Sequence, residues 1–289
     1  MSAKALISRV MPAQTFLVLR HWLRFRRLPA LRPPQSFNEH ILSLMLSRKD
    51  AALRRVFADK LATRDYVAAR LGAGWLPELF AVHDRAEAID FSALPERYVM
   101  KASHGSGMTR LVPGAGGEDA RSLRALARQW LATDFYWHGK EYVYRGLPRR
   151  VLFEELLFDA DKGRPPDDLK IYMFGGRPGL VHVDVDRFGT YRRALYTPDW
   201  QRVPAVITYP DYEGEVPRPA NLEAMLEAAR VLAGDLDFLR VDLYDLGSRI
   251  VVGELTNFPG AGNMLFSPPA FDRELGRLFS APGRAATVA

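Results

Sequence analysis

Leu239-Arg240-Val241-Asp242-Leu243-Tyr244 and Val251-Val252-Gly253-Glu254-Leu255-Thr256-Asn257, separated by a turn at Leu246-Gly247-Ser248, decide the fold of this chain. Both runs alternate apolar with polar residues over much of their length, which is the period of a β-strand. They therefore pair as an antiparallel hairpin of strands at 238–244 and 249–255. Arg240, Asp242 and Tyr244 then share one face of the first strand. Glu254 and Thr256 share one face of the second, with Val251, Gly253 and Leu255 opposite. The hairpin brings Asp242 and Glu254 side by side, and adjacent carboxylates repel unless a cation sits between them. With a hydroxyl or amide nearby, such oxygens suit Mg2+, which then bridges to phosphate. Arg240, one pleat away, is placed to neutralise charge on a transferred phosphoryl group. The plainer reading is an acid pair bridged by surface arginines, but charges inside otherwise apolar strands weigh against it.

Upstream, 98–101 reads as a strand, His104-Gly105-Ser106-Gly107 as a tight loop and 109–112 as a returning strand. A lysine at a strand end, Lys101, followed by a glycine-rich turn can grip polyphosphate through an ammonium and backbone N–H groups. The Gly-Lys-Ser/Thr order of a P-loop is absent. An amphipathic helix at 118–133 follows, then strands at 150–157, 169–175 and 179–186 and a helix at 220–234. Phe153-Glu154-Glu155-Leu156-Leu157 offers backbone groups and apolar walls to a flat base. Lys170 faces away from Leu169 and Ile171, toward a site rather than a core.

The part before residue 98 is helical. Ser36-Phe37-Asn38-Glu39 carries a capping signature, and a second helix spans about 51–71, ended by Gly72. Helices followed by strands with few intervening helices give an α+β fold. Short turns at 175–179 and 245–248 give antiparallel neighbours.

The 289 residues are 48% hydrophobic and 26% charged, enough for a soluble domain with a substantial core. The absence of cysteine excludes thiolate metal sites, disulfides and a thiol nucleophile, and fits a cytoplasmic setting. The net charge of +6 is local. Lys4, Arg9, Arg20, Arg24, Arg26, Arg27 and Arg32 precede any acid, and the remainder sums to −1. A nucleic-acid-binding surface is therefore not expected. The basic segment also carries Trp22, Leu23 and Phe25. It is too short to span a bilayer, and reads either as a docked N-terminal helix or as one lying on an anionic membrane. No histidine pair has zinc-hydrolase spacing, and no Gly-x-Ser-x-Gly elbow occurs.

Taken in order, these clusters resemble the ATP-grasp superfamily, and more narrowly its TupA-like branch, named for teichuronopeptide biosynthesis. The resemblance rests on Ser36 to Glu39, Ala58-Asp59-Lys60 with Arg64-Asp65-Tyr66, Lys101 to Gly107, Asp168-Leu169-Lys170, Asp184 to Gly189, Arg240 to Tyr244 and Gly253 to Thr256. It implies a basic segment at 1–35, a helical region at 36–97, the ATP-grasp domain at 98–280 and a tail at 281–289. ATP would lie between two α+β lobes. Lys101 and Lys170 would contact phosphates, His104, Gly105, Ser106 and Gly107 would form a lid, and Glu154, Glu155 and Leu157 would meet adenine. Asp242 and Glu254 would hold Mg2+, and Arg240 would steady the transferred phosphate. Related ligases have Glu-x-Asn where this chain has Glu254-Leu255-Thr256, so the third metal ligand is Thr256 or, with a bulge, Asn257. Asp59, Lys60 and Arg64, together with Arg187, Arg192 and Arg193, are expected at the substrate end, where arginines suit a carboxylate.

The expected activity is an ATP-dependent carboxylate–amine ligase working through an acyl phosphate. By resemblance it joins an amino acid or amine to a uronic acid or peptide in cell-surface polysaccharide biosynthesis, with peripheral membrane contact through the basic segment. The alternatives are a glycosyltransferase, for which Asp184-Val185-Asp186 is the nearest motif, a small-molecule kinase and a silent nucleotide-binding protein.

Overall fold

The computed structural model describes residues 10–114, 118–159, 162–186 and 189–280. The basic helix α1 (Ala13–Phe25) leads into α2 (Phe37–Ser47). Ser36 caps α2 as its sequence predicts: its hydroxyl accepts from the Glu39 N–H while the Glu39 carboxylate accepts from the Ser36 N–H. Glu39 also accepts from the Ala30 and Gln35 N–H groups and pairs with Arg27. Burial opposes its ionisation, but these donors hold it below the usual carboxylate range.

The single helix expected at 51–71 is two helices, α3 (Ala51–Ala58) and α4 (Lys60–Leu71). Asp59 between them is extended, at φ −100° and ψ 113°, and accepts from the Leu61 N–H to cap α4. A side chain that satisfies a free helix N–H competes with continued helix at its own position. Gly72 ends α4 with φ +91° and ψ 159°, a region essentially reserved for glycine.

Two antiparallel sheets follow. Strands β1 (Leu79–His83), β2 (Tyr98–Ala102), β3 (Thr109–Val112) and β4 (Val151–Glu154) form the first, in the order β1-β4-β2-β3. The strand β1 was not foreseen. It lies within the 36–97 segment expected to be helical, so the sheet begins before residue 98. Helix α5 (Ala120–Ala132) covers one face, with Leu123, Ala127 and Trp130 against Met100, Val151 and Phe153. A short helix α6 (Tyr136–Gly139) leads back to β4.

The second sheet holds β5 (Asp168–Phe174), β6 (Arg177–Val185) and β7 (Arg192–Tyr196). A two-residue strand β8 (Val206–Ile207) and helix α7 (Leu222–Ala233) precede β9 (Phe238–Asp245) and β10 (Ile250–Thr256). The order is β10-β9-β5-β6-β7. Helix α7 packs on the face formed by Leu169, Ile171, Val181, Val183, Val241 and Leu243. The opposite face changes character along the strands. At one end Tyr172, Phe174 and Phe238 surround Phe37 of α2. At the other it is charged. A small pair, β8 with β11 (Phe266–Ser267), and α8 (Ala270–Arg277) close the aromatic end. Helix α1 docks there through Phe16, Leu17 and His21 while Trp22 and Leu23 stay exposed. Among the described residues, no helix is long and apolar enough to cross a membrane. The expected 281–289 tail lies outside the described residues.

Candidate active site

Register assembles the charged face. Lys170 of β5 stands opposite Asp242 of β9, Asp242 opposite Glu254 of β10, and Arg240 opposite Thr256. On the other side Asp168 stands opposite Asp184, and Asp184 opposite Arg193. The Asp242–Glu254 pairing foreseen for the hairpin is present. The pleat is not regular, however: a bulge at Gly253 shifts the register between Val252 and Glu254. Val252 and Leu255 consequently both face the α7 core, and Val251 stands opposite Tyr244 instead of lying on the face away from the acids.

The charges form one buried network. The Lys170 ammonium donates to Asp168 and, at 3.0 Å, to Asp242, and lies 3.3 Å from Asp184. Arg240 grips Asp242 through Nε at 2.6 Å and Nη2 at 2.7 Å, and donates to Thr256 Oγ1 at 2.9 Å. Burial disfavours each charge, yet the acids hold Lys170 protonated above its ordinary range, and Arg240 and Lys170 hold Asp242 below its own. His182 donates from Nε2 to Asp184 at 2.8 Å and accepts from the Tyr172 hydroxyl at 3.4 Å. Its burial lowers its pKa to about 4, so it is neutral at pH 7.

Between the two sheets lies a cleft of about 480 Å3. Val99, Leu111, Leu156 and Leu157 supply apolar lining, and Lys60, Lys101, Asp242 and Glu254 are among its charged groups. Lys101 pairs with Glu154, which Arg64 also approaches at 3.5 Å. A cleft of this size, with apolar side chains for a flat base and convergent charges for phosphates, suits a nucleotide.

The expected site residues divide accordingly. Lys101, Ser106, Gly107, Glu154, Glu155, Leu157, Asp242 and Glu254 all line the cleft, while Lys170 lies beneath it on Asp168 and Asp242. Glu155 sits at the rim, paired with Arg249. His104 does not join the loop's cleft face. It is buried and donates from Nε2 to the Trp130 carbonyl at 3.1 Å. Gly105 is packed against Met108 and Phe135, and its carbonyl accepts from Lys60 at 2.6 Å.

Lys60 was expected at the substrate end with the arginines. The break at Asp59 instead turns it into the cleft, where burial lowers its pKa against the pull of Glu254. Asp59 itself is a cap that pairs with Arg150. Arg64 reaches Glu154 and the Pro77 carbonyl. Arg193 is not free to bind substrate: it pairs with Asp184, donates to the Ile207 carbonyl and the Tyr191 hydroxyl, and stacks on Tyr209. Arg192 points to the other face of β7 from Arg193, and Arg187 lies outside the described residues.

The metal set also narrows. Thr256 accepts from Arg240. Asn257 is buried with its amide donating to the Arg54 carbonyl at 2.7 Å, so the bulge, coming before Glu254 and not after it, does not bring its side chain to the acids. Asp242 and Glu254 remain. Among the described residues no group of three His, Cys, Asp or Glu side chains is arranged to hold a metal. Two carboxylates beside a phosphate-sized charged space suit Mg2+, which binds through one or two acids and shares substrate phosphates, and do not suit a cage built wholly of protein ligands.

The TupA-like ATPgrasp family matches this chain over residues 39–280. No curated protein is significantly similar to it in sequence. Among solved structures it is similar to D-alanine–D-alanine ligase from Helicobacter pylori, at 16% identity and TM-score 0.45, covering 86% of this chain and 68% of that one. It is similar to D-alanine–D-alanine ligase from Bacillus anthracis complexed with ATP, at 15% identity and TM-score 0.44, over 71% of this chain and 55% of that one. A third is ATP-grasp ligase PsnB with a phosphomimetic variant of its minimal precursor, Mg and ADP, at 14% identity and TM-score 0.42, over 83% and 66%. The chain thus spans little more than half the length of the Bacillus anthracis enzyme.

Proposed function

Since the chain belongs to the TupA-like ATP-grasp family, we propose that it is an ATP-dependent carboxylate–amine ligase. The observation that carries this reading is the cleft between the two sheets, which combines apolar lining with Lys60, Lys101 and the Asp242–Glu254 pair. In this reading the base lies against Val99, Leu111 and Leu157, and Lys60 and Lys101 hold phosphates. Asp242 and Glu254 hold magnesium, which when bound supplies charge neutralisation on the phosphate oxygens. Arg240 shares Asp242 and lies at the far side of the acids, where it meets the phosphoryl group in transfer.

The substrate carboxylate attacks the γ-phosphorus, the bond to the β-phosphate oxygen breaks, and ADP leaves. A neutral amine then attacks the acyl carbon, the carbon–oxygen bond to phosphate breaks, phosphate leaves, and the nitrogen gives up one proton as the amide forms. The substrates proposed by family are an amino acid or amine and a uronic acid or peptide of a cell-surface polysaccharide, with α1 at an anionic membrane. The glycosyltransferase reading is weakened by Asp184, which is held by His182, Arg193 and Lys170 and does not line the cleft.

The test is ADP and phosphate release from Mg-ATP with glucuronate or galacturonate and a panel of amines. Release that needs both partners supports ligation. Hydrolysis indifferent to both counts against it, and a stable phosphorylated product selects a kinase.

A further inference from the structure

Beside the cleft opens a second chamber of about 250 Å3. It shares Ser106 and Glu254 with the cleft, so the two spaces meet where the phosphates are proposed to lie. Four aromatic side chains, Phe57, Phe135, Tyr144 and Phe258, stand among its lining residues. The charged side chains that line it are Glu141, Arg240 and Glu254.

With Glu254 assigned to magnesium in the reading above, the charged side chains left to the chamber are Glu141 and Arg240. Arg240 is already committed to Asp242 and Thr256. Among the described residues the Glu141 carboxylate makes no hydrogen bond and no ion pair, although the side chain is half-buried; its backbone carbonyl accepts from the Tyr144 N–H. The guanidinium whose charge acts on it belongs to Arg20 of α1, which donates to the Ala261 carbonyl at 2.6 Å. Gly139 stands beside both groups: a Cβ there would lie 3.2 Å from Glu141 Oε1 and 3.4 Å from Arg20 Nη1. The groups whose charge reaches Glu141 or Tyr144 beside it are therefore Arg20 from α1, Arg240 from β9 and Glu254 from β10. A confined carboxylate with no cation of its own is costly, and a cationic ligand removes that cost. Its burial is the main reason the Glu141 carboxyl is pushed up to about 7, with Arg20 opposing and Glu254 adding to the shift.

We propose that this chamber is the subsite for the nucleophile of the ligation, a small primary amine that docks as its ammonium ion on the Glu141 carboxylate, passes one proton to that carboxylate to free its lone pair for attack, and lays its hydrocarbon body against the aromatic side chains. No lining cation is left to receive a second carboxylate, so the chamber selects a simple amine over a free amino acid. The assignment rests on the reading of the neighbouring cleft as the ATP site.

The experiment uses the full chain with Mg2+ and a non-hydrolysable ATP analogue at constant ionic strength. Binding of butylamine, 1-butanol and norvaline is followed by calorimetry and thermal shift. Butylamine is expected to bind, with 1-butanol and norvaline at least about tenfold weaker, because each lacks the ion pair or adds an unmatched charge. Glu141→Gln, which keeps the shape, is expected to weaken butylamine by about tenfold or more and leave the nucleotide shift unchanged. Glu141→Asp keeps the charge and restores part of the binding. Butylamine binding that survives Glu141→Gln, or norvaline binding as well as butylamine, overturns the assignment, as does a nucleotide response with no amine response. Glu141-dependent amine binding in a chain that ignores ATP supports the chamber and overturns the ligase reading instead.

Discussion

Glu254 stands directly opposite Asp242 across β9 and β10, but only one of the two is neutralised by the protein. Asp242 is gripped by Arg240 and Lys170, whereas Glu254 has no ion pair or side-chain hydrogen bond among the described residues. The two acids are therefore expected to respond differently to loss of charge. Glu254→Gln should fold as stably as the parent and lower Mg-ATP turnover by about 100-fold, since it removes charge stabilisation at the phosphates alone. Asp242→Asn should lower turnover and also destabilise the fold by about 3 kcal/mol, because it leaves two buried cations short of an anion. Chemical denaturation beside an ADP-release assay checks both, and equal stability losses would contradict the asymmetry.

The bulge at Gly253 is what aligns Glu254 with Asp242. A Cβ at this position would lie 2.6 Å from the Tyr244 ring. Gly253→Val is expected to destabilise by about 1–3 kcal/mol through overpacking, and to lower turnover more than an equally destabilising core variant such as Leu226→Val. Urea melts and activity measured on the two variants together separate register from stability.

Asn257 is expected to matter for folding and not for metal. Asn257→Ala should cost about 1–3 kcal/mol, as the buried Arg54 carbonyl loses its donor. The Mg2+ concentration giving half-maximal nucleotide binding should stay unchanged. A clear rise in that concentration would restore Asn257 to the ligand set.

Acid sensitivity should set in above the carboxylate range. His182 has a folded pKa of about 4 against about 6.5 in an unfolded chain. The unfolded state then binds more protons between those values, so stability rises with pH there. The contribution is complete above about pH 6.5 and is lost as pH falls toward 4, on the order of 3 kcal/mol. His182→Gln, which can still donate to Asp184, should flatten this part of the curve in urea melts at pH 7 and 4.5. Parallel curves for variant and parent would refute the assignment. His40, also lowered to about 4 and stacked on Phe279, leaves a residual slope.

The sequence was most legible where period and turn agreed. Alternation around Asp242 and Glu254 with Gly247 between them yields the hairpin, while its acid pair also needs the bulge at Gly253, and the Ser36–Glu39 spacing yields a true capping box. It was least legible at edges and breaks. Leu79 to His83 has no clear alternation because β1 is an edge strand, half exposed on both faces. The division at Asp59 depends on a side chain competing for one N–H, and it alone decides that Lys60 enters the cleft. His104 has glycine neighbours like a phosphate loop, yet its ring is drawn into the protein by the carbonyl end of α5. Arg192 and Arg193 look like a substrate clamp, but β7 commits Arg193 to Asp184. Glu141 carried no signal at all, since a lone acid in a short irregular connection acquires meaning only from the walls around it.

The bond from Arg20 to the Ala261 carbonyl joins positions 241 apart, and Asn38 exchanges two hydrogen bonds with Met264 across a similar interval. On the ribosome, α1 and α2 emerge long before the segments they must meet. Phe37 meets no aromatic partner until Tyr172 and Phe174 of β5 have been made, and its ring contacts are complete only with Phe238, Phe266 and Phe279. Contacts this distant slow folding and leave apolar surface uncovered meanwhile. Helices made before the strands they contact are thus the last to find their places.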